Sequence, residues 1–307
     1  MSEGFDYSRF RNVTIGDREV LEGLLLASEP MTCESNFLNL YVWQHIYSTK
    51  YQIYRGRPYV YLEEEDELLF PAGADGNYET PEVLYEVSSV MRAHGRNGNI
   101  YQVKADYLEK FPEFSRYFNA VQIHEDYGEY LYRTEDLVEL RGARLHKKKN
   151  LISQFQRLYP DYRVLPFSKE RLGDCRALCD AWRKRKSASG YAEEIEEEHE
   201  AIDRAFAQYD HLSMEGCCLY VGEKLIAFAV CSRINSEMYT VHFEKNDPDY
   251  KGSGQVINQE TAHLLLGKAR YINREQDLGV EGLRHAKSSY APVALLRNWN
   301  LIPKTGV

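Results

Sequence analysis

One order of elements runs through this sequence twice, so the chain must build two similar sheets rather than one. In the second half, Cys217 to Val221 and Leu225 to Cys231 read as a hairpin closed by Gly222, Glu223 and Lys224, and Met238 to Phe243 reads as a third strand. Asp247-Pro248 and a loop through Tyr250, Lys251, Gly252, Ser253 and Gly254 follow. A helix is then predicted from about Gln255 to Lys268, with Ile257, Thr261, Leu264 and Leu265 on one face, and a strand at Tyr271 to Arg274. The first half repeats the plan with strands at Tyr51 to Tyr54, Tyr59 to Leu62 and Glu67 to Phe70, and a turn at Gly73 to Gly76. A helix from about Pro81 to His94 carries Val83, Val87, Val90 and Met91, and a strand at Asn99 to Val103 closes the unit. The residues of the two halves do not match, so the repeat is structural.

Between the halves, Leu145, Ile152, Phe155 and Tyr159 recur at helical spacing up to Pro160. The expected division is an N-terminal unit over 1–141, a linking helix over 142–160 and a C-terminal unit over 161–307 that carries the site. A meander of strands, a glycine loop, a helix and a fourth strand is the arrangement of an N-acetyltransferase core. The expected class is therefore α+β: tandem N-acetyltransferase-like (GNAT-like) units with mixed, mainly antiparallel sheets flanked by helices. In such a core, amides at the helix start receive an acyl donor's pyrophosphate. Lys251, Gly252 and Gly254 are the candidates for that role, although an ordinary turn before a helix has the same composition.

The 307 residues have an apolar fraction of 43%, enough for ordinary cores. The longest apolar runs, such as Leu225 to Cys231, fall far short of the roughly 18 to 20 residues of a membrane span. The opening residues have neither a basic start nor an apolar stretch, so no secretory signal is expected. The six cysteines include no C-x-x-C pair, which fits thiols in a reducing cytoplasm and gives no reason to expect a metal. With 38 basic and 47 acidic residues, 38 − 47 leaves a net charge of −9. That balance opposes general nucleic-acid affinity and leaves only local basic patches. Two stand out: Arg141 to Lys149, with Lys147, Lys148 and Lys149 consecutive, and Arg183 to Lys186. Each also reads as a solvated helix face.

The densest cluster of ionisable groups lies between Tyr271 and Tyr290. Arg274, Glu275, Asp277, Arg284, Lys287 and Tyr290 surround a short apolar strand and the glycines 279 and 282. Both signs of charge suit a zwitterionic substrate; the competing reading is a buried ion-pair network in which Arg284 closes on Glu275 or Asp277. Glu244 and Lys245, just past a strand, carry the same ambiguity. No Ser-His-Asp or Cys-His order is evident, so direct transfer is expected over a covalent intermediate.

Asn273 to Gly279, Gly282-Leu283-Arg284 and Lys287 to Pro292 are distinctive, as are Phe243-Glu244-Lys245, His146 to Asn150, Asn36 to Leu40 and Trp43. With these stretches the chain closely resembles, over nearly its whole length, the soluble bacterial family related to the C-terminal domain of phosphatidylglycerol lysyltransferase. That family resembles the tandem N-acetyltransferase fold of Fem-type aminoacyltransferases. Its membrane-bound relatives move an aminoacyl group from aminoacyl-tRNA to a lipid head group. The resemblance implies a cleft between the domains, with a site mostly in the second. Glu275, Asp277, Lys287 and Tyr290 would be catalytic, and Arg274, Arg284, Glu244, Lys245 and Asn258 would bind substrate. Lys147, Lys148 and Lys149 would meet tRNA phosphates. The donor would be aminoacyl-tRNA, and the acceptor a lipid head group, met by peripheral membrane contact, or a soluble molecule. The alternatives are an acetyl-CoA or acyl-CoA dependent N-acyltransferase and a non-catalytic amino-acid or peptide-binding module.

Overall fold

The computed structural model describes residues 4–71, 73, 77–186 and 192–306. Apart from Gly73, the turn expected at Gly73 to Gly76 lies outside the described residues, as do the first three residues and the side chain of Lys186. The strands are β1 (Arg11–Asn12), β2 (Lys50–Tyr54), β3 (Arg57–Leu62), β4 (Glu67–Leu69), β5 (Ile100–Val103), β6 (Phe118–Gln122) and β7 (Glu129–Arg133). They continue with β8 (Arg163–Pro166), β9 (Glu215–Val221), β10 (Lys224–Arg233), β11 (Met238–Asn246), β12 (Tyr271–Asn273), β13 (Ala294–Leu296) and β14 (Trp299–Pro303). The helices of the first half are α1 (Arg18–Ala27), α2 (Phe37–Val42), α3 (Gln44–Tyr47), α4 (Pro81–Ala93) and α5 (Ala105–Lys110). Then come α6 (Thr134–Glu139), α7 (His146–Leu158), α8 (Leu172–Lys186), α9 (Ala192–Ala207), α10 (Ser253–Leu265) and α11 (Glu281–Ser288).

Two seven-stranded sheets form, ordered β1-β2-β3-β4-β5-β14-β6 and β13-β7-β12-β11-β10-β9-β8. In each, a helix joins two strands that run parallel, α4 between β4 and β5 and α10 between β11 and β12. The strand, strand, strand, helix, strand order read from the sequence is therefore present twice. An exchange completes the repeat: β14, from the end of the chain, sits between β5 and β6, and β7, from the middle, sits at the matching place between β12 and β13. Both inserted strands run antiparallel to their inner neighbour, pairing Leu301 with Ile100 and Tyr132 with Ile272.

The compact units follow from that exchange. One is Met1–Gly128 with Leu296–Val307, and the other is Glu129–Leu295. The divide falls at Gly128 and Leu296, where the sequence reading placed it at 141 and 161. The helix expected over 142–160 is shorter, at His146–Leu158, and packs inside the second unit through Ile152 and Phe155.

In the first unit α4 starts at Pro81, where a missing N–H costs nothing. It buries Leu84, Val87, Ser88 and Met91, positions spaced to share one helix face. Leu84, Val87 and Met91 share a core with Tyr59, Tyr61, Ile100, Phe118 and Leu301 of the sheet. In the second unit, Val256, Ile257 and Leu265 of α10 share a core with Tyr132, Ile272, Tyr239, Val241 and Tyr290. All six cysteines are buried thiols.

Candidate active site

The site is built where β11 and β12 part. They pair only from Met238 with Tyr271 to Thr240 with Asn273, after which β11 runs on to Asn246 beside β10. Along β11 a bulge intervenes: Phe243 lies opposite Val230 and Val241 opposite Cys231, so His242 is the extra residue. An odd residue reverses the alternation of side chains. Tyr239 and Val241 belong to the core under α10, and beyond the bulge Glu244 and Asn246 turn to that face, Asn246 bonding Ser253 of α10 at 3.2 Å. Lys245 turns the other way, pairing with Glu198 of α9 at 2.5 Å and lying 4.2 Å from the Trp182 ring of α8. Lys245, expected among the substrate-binding residues, is thus separated from them by the sheet.

Arg274 spans the gap between the strands and bonds Glu244 at 2.8 Å. Its guanidinium lies 5.5 Å from the centre of the Tyr290 ring, and the Lys148 ammonium of α7 lies 4.3 Å from the same ring. Burial pushes the Tyr290 phenol up and keeps it protonated. Burial, and then the charge of Arg274, hold Lys148 below the usual lysine range. Among the described residues no carboxylate pairs with Lys148. Among the same residues Glu244 Oε2, whose other oxygen bonds Arg274, and Asn258 Oδ1 of α10 are buried without a hydrogen-bond partner. Buried polar atoms are seldom left so.

Glu275, the next residue after Arg274, faces the other side of the sheet. Its Oε1 accepts from Thr240 Oγ1 at 3.3 Å and lies 3.3 Å from His242 Nδ1, while its backbone holds the left-handed conformation at φ 56°. Ser232 and His242, joined at 2.7 Å, were missed by the sequence reading. Ten positions separate them, and only pairing of adjacent strands brings them together.

The remaining candidates are placed otherwise. Asp277 is fully buried and accepts four hydrogen bonds, from Arg284 Nε and Nη2 at 3.0 and 2.9 Å, Tyr130 Oη at 2.6 Å and Gly279 N at 2.9 Å. Asp277 and Arg284 thus form an ion pair, the competing reading of this stretch, with its carboxylate buried and its guanidinium partly open to solvent. Lys287 bonds the Gln276 carbonyl and lies 6.0 Å from the Tyr130 ring, holding the loop before α11. Lys147 and Lys149 are exposed on the first turn of α7. There Lys149 and His146, with Leu140, Arg141, Gly142 and Ala143, line an open hollow of about 510 Å³.

The glycine loop serves packing. Lys251 is exposed, but Gly252 is buried at φ 96°, and a Cβ there would lie 2.8 Å from the Leu151 carbonyl and 3.0 Å from Phe155 of α7. A Cβ on Gly254 would meet Asn246 Oδ1 at 3.1 Å. Gly252→Ala is therefore expected to cost about 2 kcal/mol in urea unfolding, from left-handed strain plus displacement of α7. A loss below about 0.5 kcal/mol would show that α7 yields freely.

Among the described residues no group of three His, Cys, Asp or Glu side chains is arranged for a metal ion, and no helix is long and apolar enough to cross a membrane. The model of the family described as phosphatidylglycerol lysyltransferase, C-terminal, matches residues 27–301. The chain belongs to that family. The phosphatidylglycerol lysyltransferase C-terminal family is one of acyl and aminoacyl transferases. A conserved protein of unknown function from Bacteroides thetaiotaomicron is 29% identical, with a TM-score of 0.88 over 96% of this chain and 99% of that one. L-PGS from Bacillus licheniformis is 14% identical, with a TM-score of 0.61 over 99% of this chain and 94% of that one. FemX shares the fold alone, at 10% identity and a TM-score of 0.54 over 83% and 84% of the two chains. A curated relative, an uncharacterised protein of Mycoplasmoides gallisepticum, is 24% identical over 180 residues. That match spans 58% of this chain and only 56% of the relative. The expected class, α+β with tandem GNAT-like units, is the class found.

Proposed function

We propose that this chain moves an aminoacyl group from aminoacyl-tRNA onto a hydroxyl or amine of a lipid head group or small molecule, at the cluster of Lys148, Tyr290, Arg274 and Glu244. The observation that carries the reading is a set of unmet bonds among the described residues: Glu244 Oε2 beside Arg274 and Asn258 Oδ1 of α10 have no donor, and Lys148 over the Tyr290 ring pairs with no carboxylate. An aminoacyl ester supplies what is missing. Its ammonium would donate to Glu244 Oε2 and Asn258 Oδ1, and its carbonyl oxygen, as it gains charge, would turn to Lys148 and Arg274. Tyr290, kept protonated by burial, would give its proton to the departing ribose oxygen, and Glu275 would take the acceptor's. The exposed Arg141, Lys147 and Lys149 would hold tRNA phosphates in a salt-dependent way.

The coenzyme A reading requires the start of α10 to be open to a pyrophosphate. Leu151 and Phe155 close on Gly252 at that point, so this reading has less support.

The test offers purified protein a panel of tRNAs charged with labelled amino acids, together with phosphatidylglycerol vesicles or soluble amines. Label is expected to leave one class of tRNA for an acceptor, and Glu244→Gln is expected to abolish that movement. No transfer from any charged tRNA, together with a melting rise on adding coenzyme A, would overturn the reading. A free amino acid that stabilises the protein without turnover would favour a binding module instead.

A further inference from the structure

Ser232, His242 and Glu275 stand in hydrogen-bond order across β10, β11 and the end of β12. Ser232 Oγ is 2.7 Å from His242 Nε2, and His242 Nδ1 is 3.3 Å from Glu275 Oε1. The order is that of a hydrolytic triad, but the exposure runs the opposite way. Ser232 is 3% exposed and the His242 side chain 1%, whereas the Glu275 side chain is 21% exposed. The serine is the closed end and the carboxylate the open one, so Ser232 is badly placed as a nucleophile and Glu275 well placed to meet a substrate.

Two further observations single out the same residues. The β11 bulge occurs at His242, the kind of irregularity that re-aims a side chain beside a site. Glu275 is held at φ 56°, a conformation that a non-glycine residue adopts at a cost and that tends to mark functional positions. The preceding residue, Arg274, bonds Glu244 on the α10 face, while Glu275 bonds Thr240 on the opposite face. Adjacent residues thus serve the two sides of one gap.

We propose that Ser232 and His242 are positioning residues that aim the Glu275 carboxylate at the acceptor of the transfer. The proposal rests on the transferase reading above. Ser232 donates its hydroxyl proton to Nε2, which fixes the ring as the Nδ1–H tautomer, and Nδ1–H donates to Glu275. The acceptor oxygen or nitrogen then bonds to the ester carbon as its proton passes to Glu275. The bond from that carbon to the ribose oxygen breaks, and that oxygen takes a proton from Tyr290. Glu275 releases its proton to solvent and Tyr290 regains one, so the cycle closes without net change.

The test has two arms. In protein labelled with ¹⁵N-histidine, the His242 ring nitrogens are expected to report the Nδ1–H tautomer in the wild type and a mixture in Ser232→Ala. An Nε2–H ring in the wild type, or no change in Ser232→Ala, overturns the relay. With the charged tRNA that the wild type uses, Ser232→Ala is expected to lower kcat about tenfold at constant KM, as loss of an aligning bond should, and Ser232→Thr to restore it. Equal kcat in wild type and Ser232→Ala overturns it as well. If the wild type transfers from no charged tRNA, the transferase reading fails and the ring tautomer alone decides the relay.

Discussion

Asp277→Ala is expected to destabilise the second unit by about 3 kcal/mol in urea unfolding at neutral pH. The four bonds to this carboxylate tie the chain after β12 to α11 and to Tyr130 of β7. Alanine would leave the buried Tyr130 hydroxyl with Ser288 as its remaining side-chain partner, a desolvation cost of about 1–3 kcal/mol, while the amide of the exposed Gly279 turns to water. The Arg284 side chain is 38% exposed and turns to water when freed, so the lost ion pair adds little. A pH signature accompanies the loss. Burial alone would raise the carboxyl; the bonds from Arg284, Tyr130 and Gly279 outweigh it and bring the pKa from 3.8 down to about 2. A depressed native pKa stabilises above the unfolded value and ceases to as pH falls through the native one. About 2 kcal/mol should therefore disappear between pH 4 and pH 2 in the wild type and be missing from that limb in Asp277→Ala. Superimposable acid limbs would show that the clamp contributes nothing.

That clamp also marks how far the sequence could be read. Asp277 and Arg284 are seven positions apart at the end of a strand, close enough for their pairing to be weighed from spacing alone, and the hairpin of β9 and β10 declared itself by continuous apolar runs and turn residues. The exchange of β7 and β14 did not, because a five-residue strand carries no mark of the sheet it will join. Register misled too: alternation counted straight along β11 puts Glu244 where Lys245 belongs, and only the bulge at His242 corrects it. The glycines at 252 and 254 had the composition of a phosphate loop. Their reason is the close approach of α7 and of Asn246, contacts invisible until the helices are packed. Glu244 and Asn258 were named from the sequence, but the missing donors to Glu244 Oε2 and Asn258 Oδ1 gave no signal, since an unmet bond exists only once everything else is in place.

Lys148→Met is expected to separate function from stability: about a hundredfold loss of transfer, the scale of removing one preorganised donor to a developing oxyanion, with a melting temperature unchanged or raised. Of the three consecutive lysines, Lys147 and Lys149 are exposed, while Lys148 is half-buried over the Tyr290 ring and next to the charge of Arg274. Burial and Arg274 both disfavour its ammonium, so its pKa lies below 10.5. The resulting cost to folding is fully present at neutral pH and is lifted as pH rises through the native pKa toward the unfolded one. Contact with the ring offsets part of it, by about 0.5–2 kcal/mol. Methionine keeps the apolar stem against Tyr290 and removes the charge that folding must desolvate. A purely structural lysine behaves in the opposite way, losing stability when replaced. Thermal melts and labelled-aminoacyl transfer on the same preparations decide the matter. A melting temperature several degrees lower with transfer intact would make Lys148 a packing residue and remove the donor that the proposed oxyanion requires.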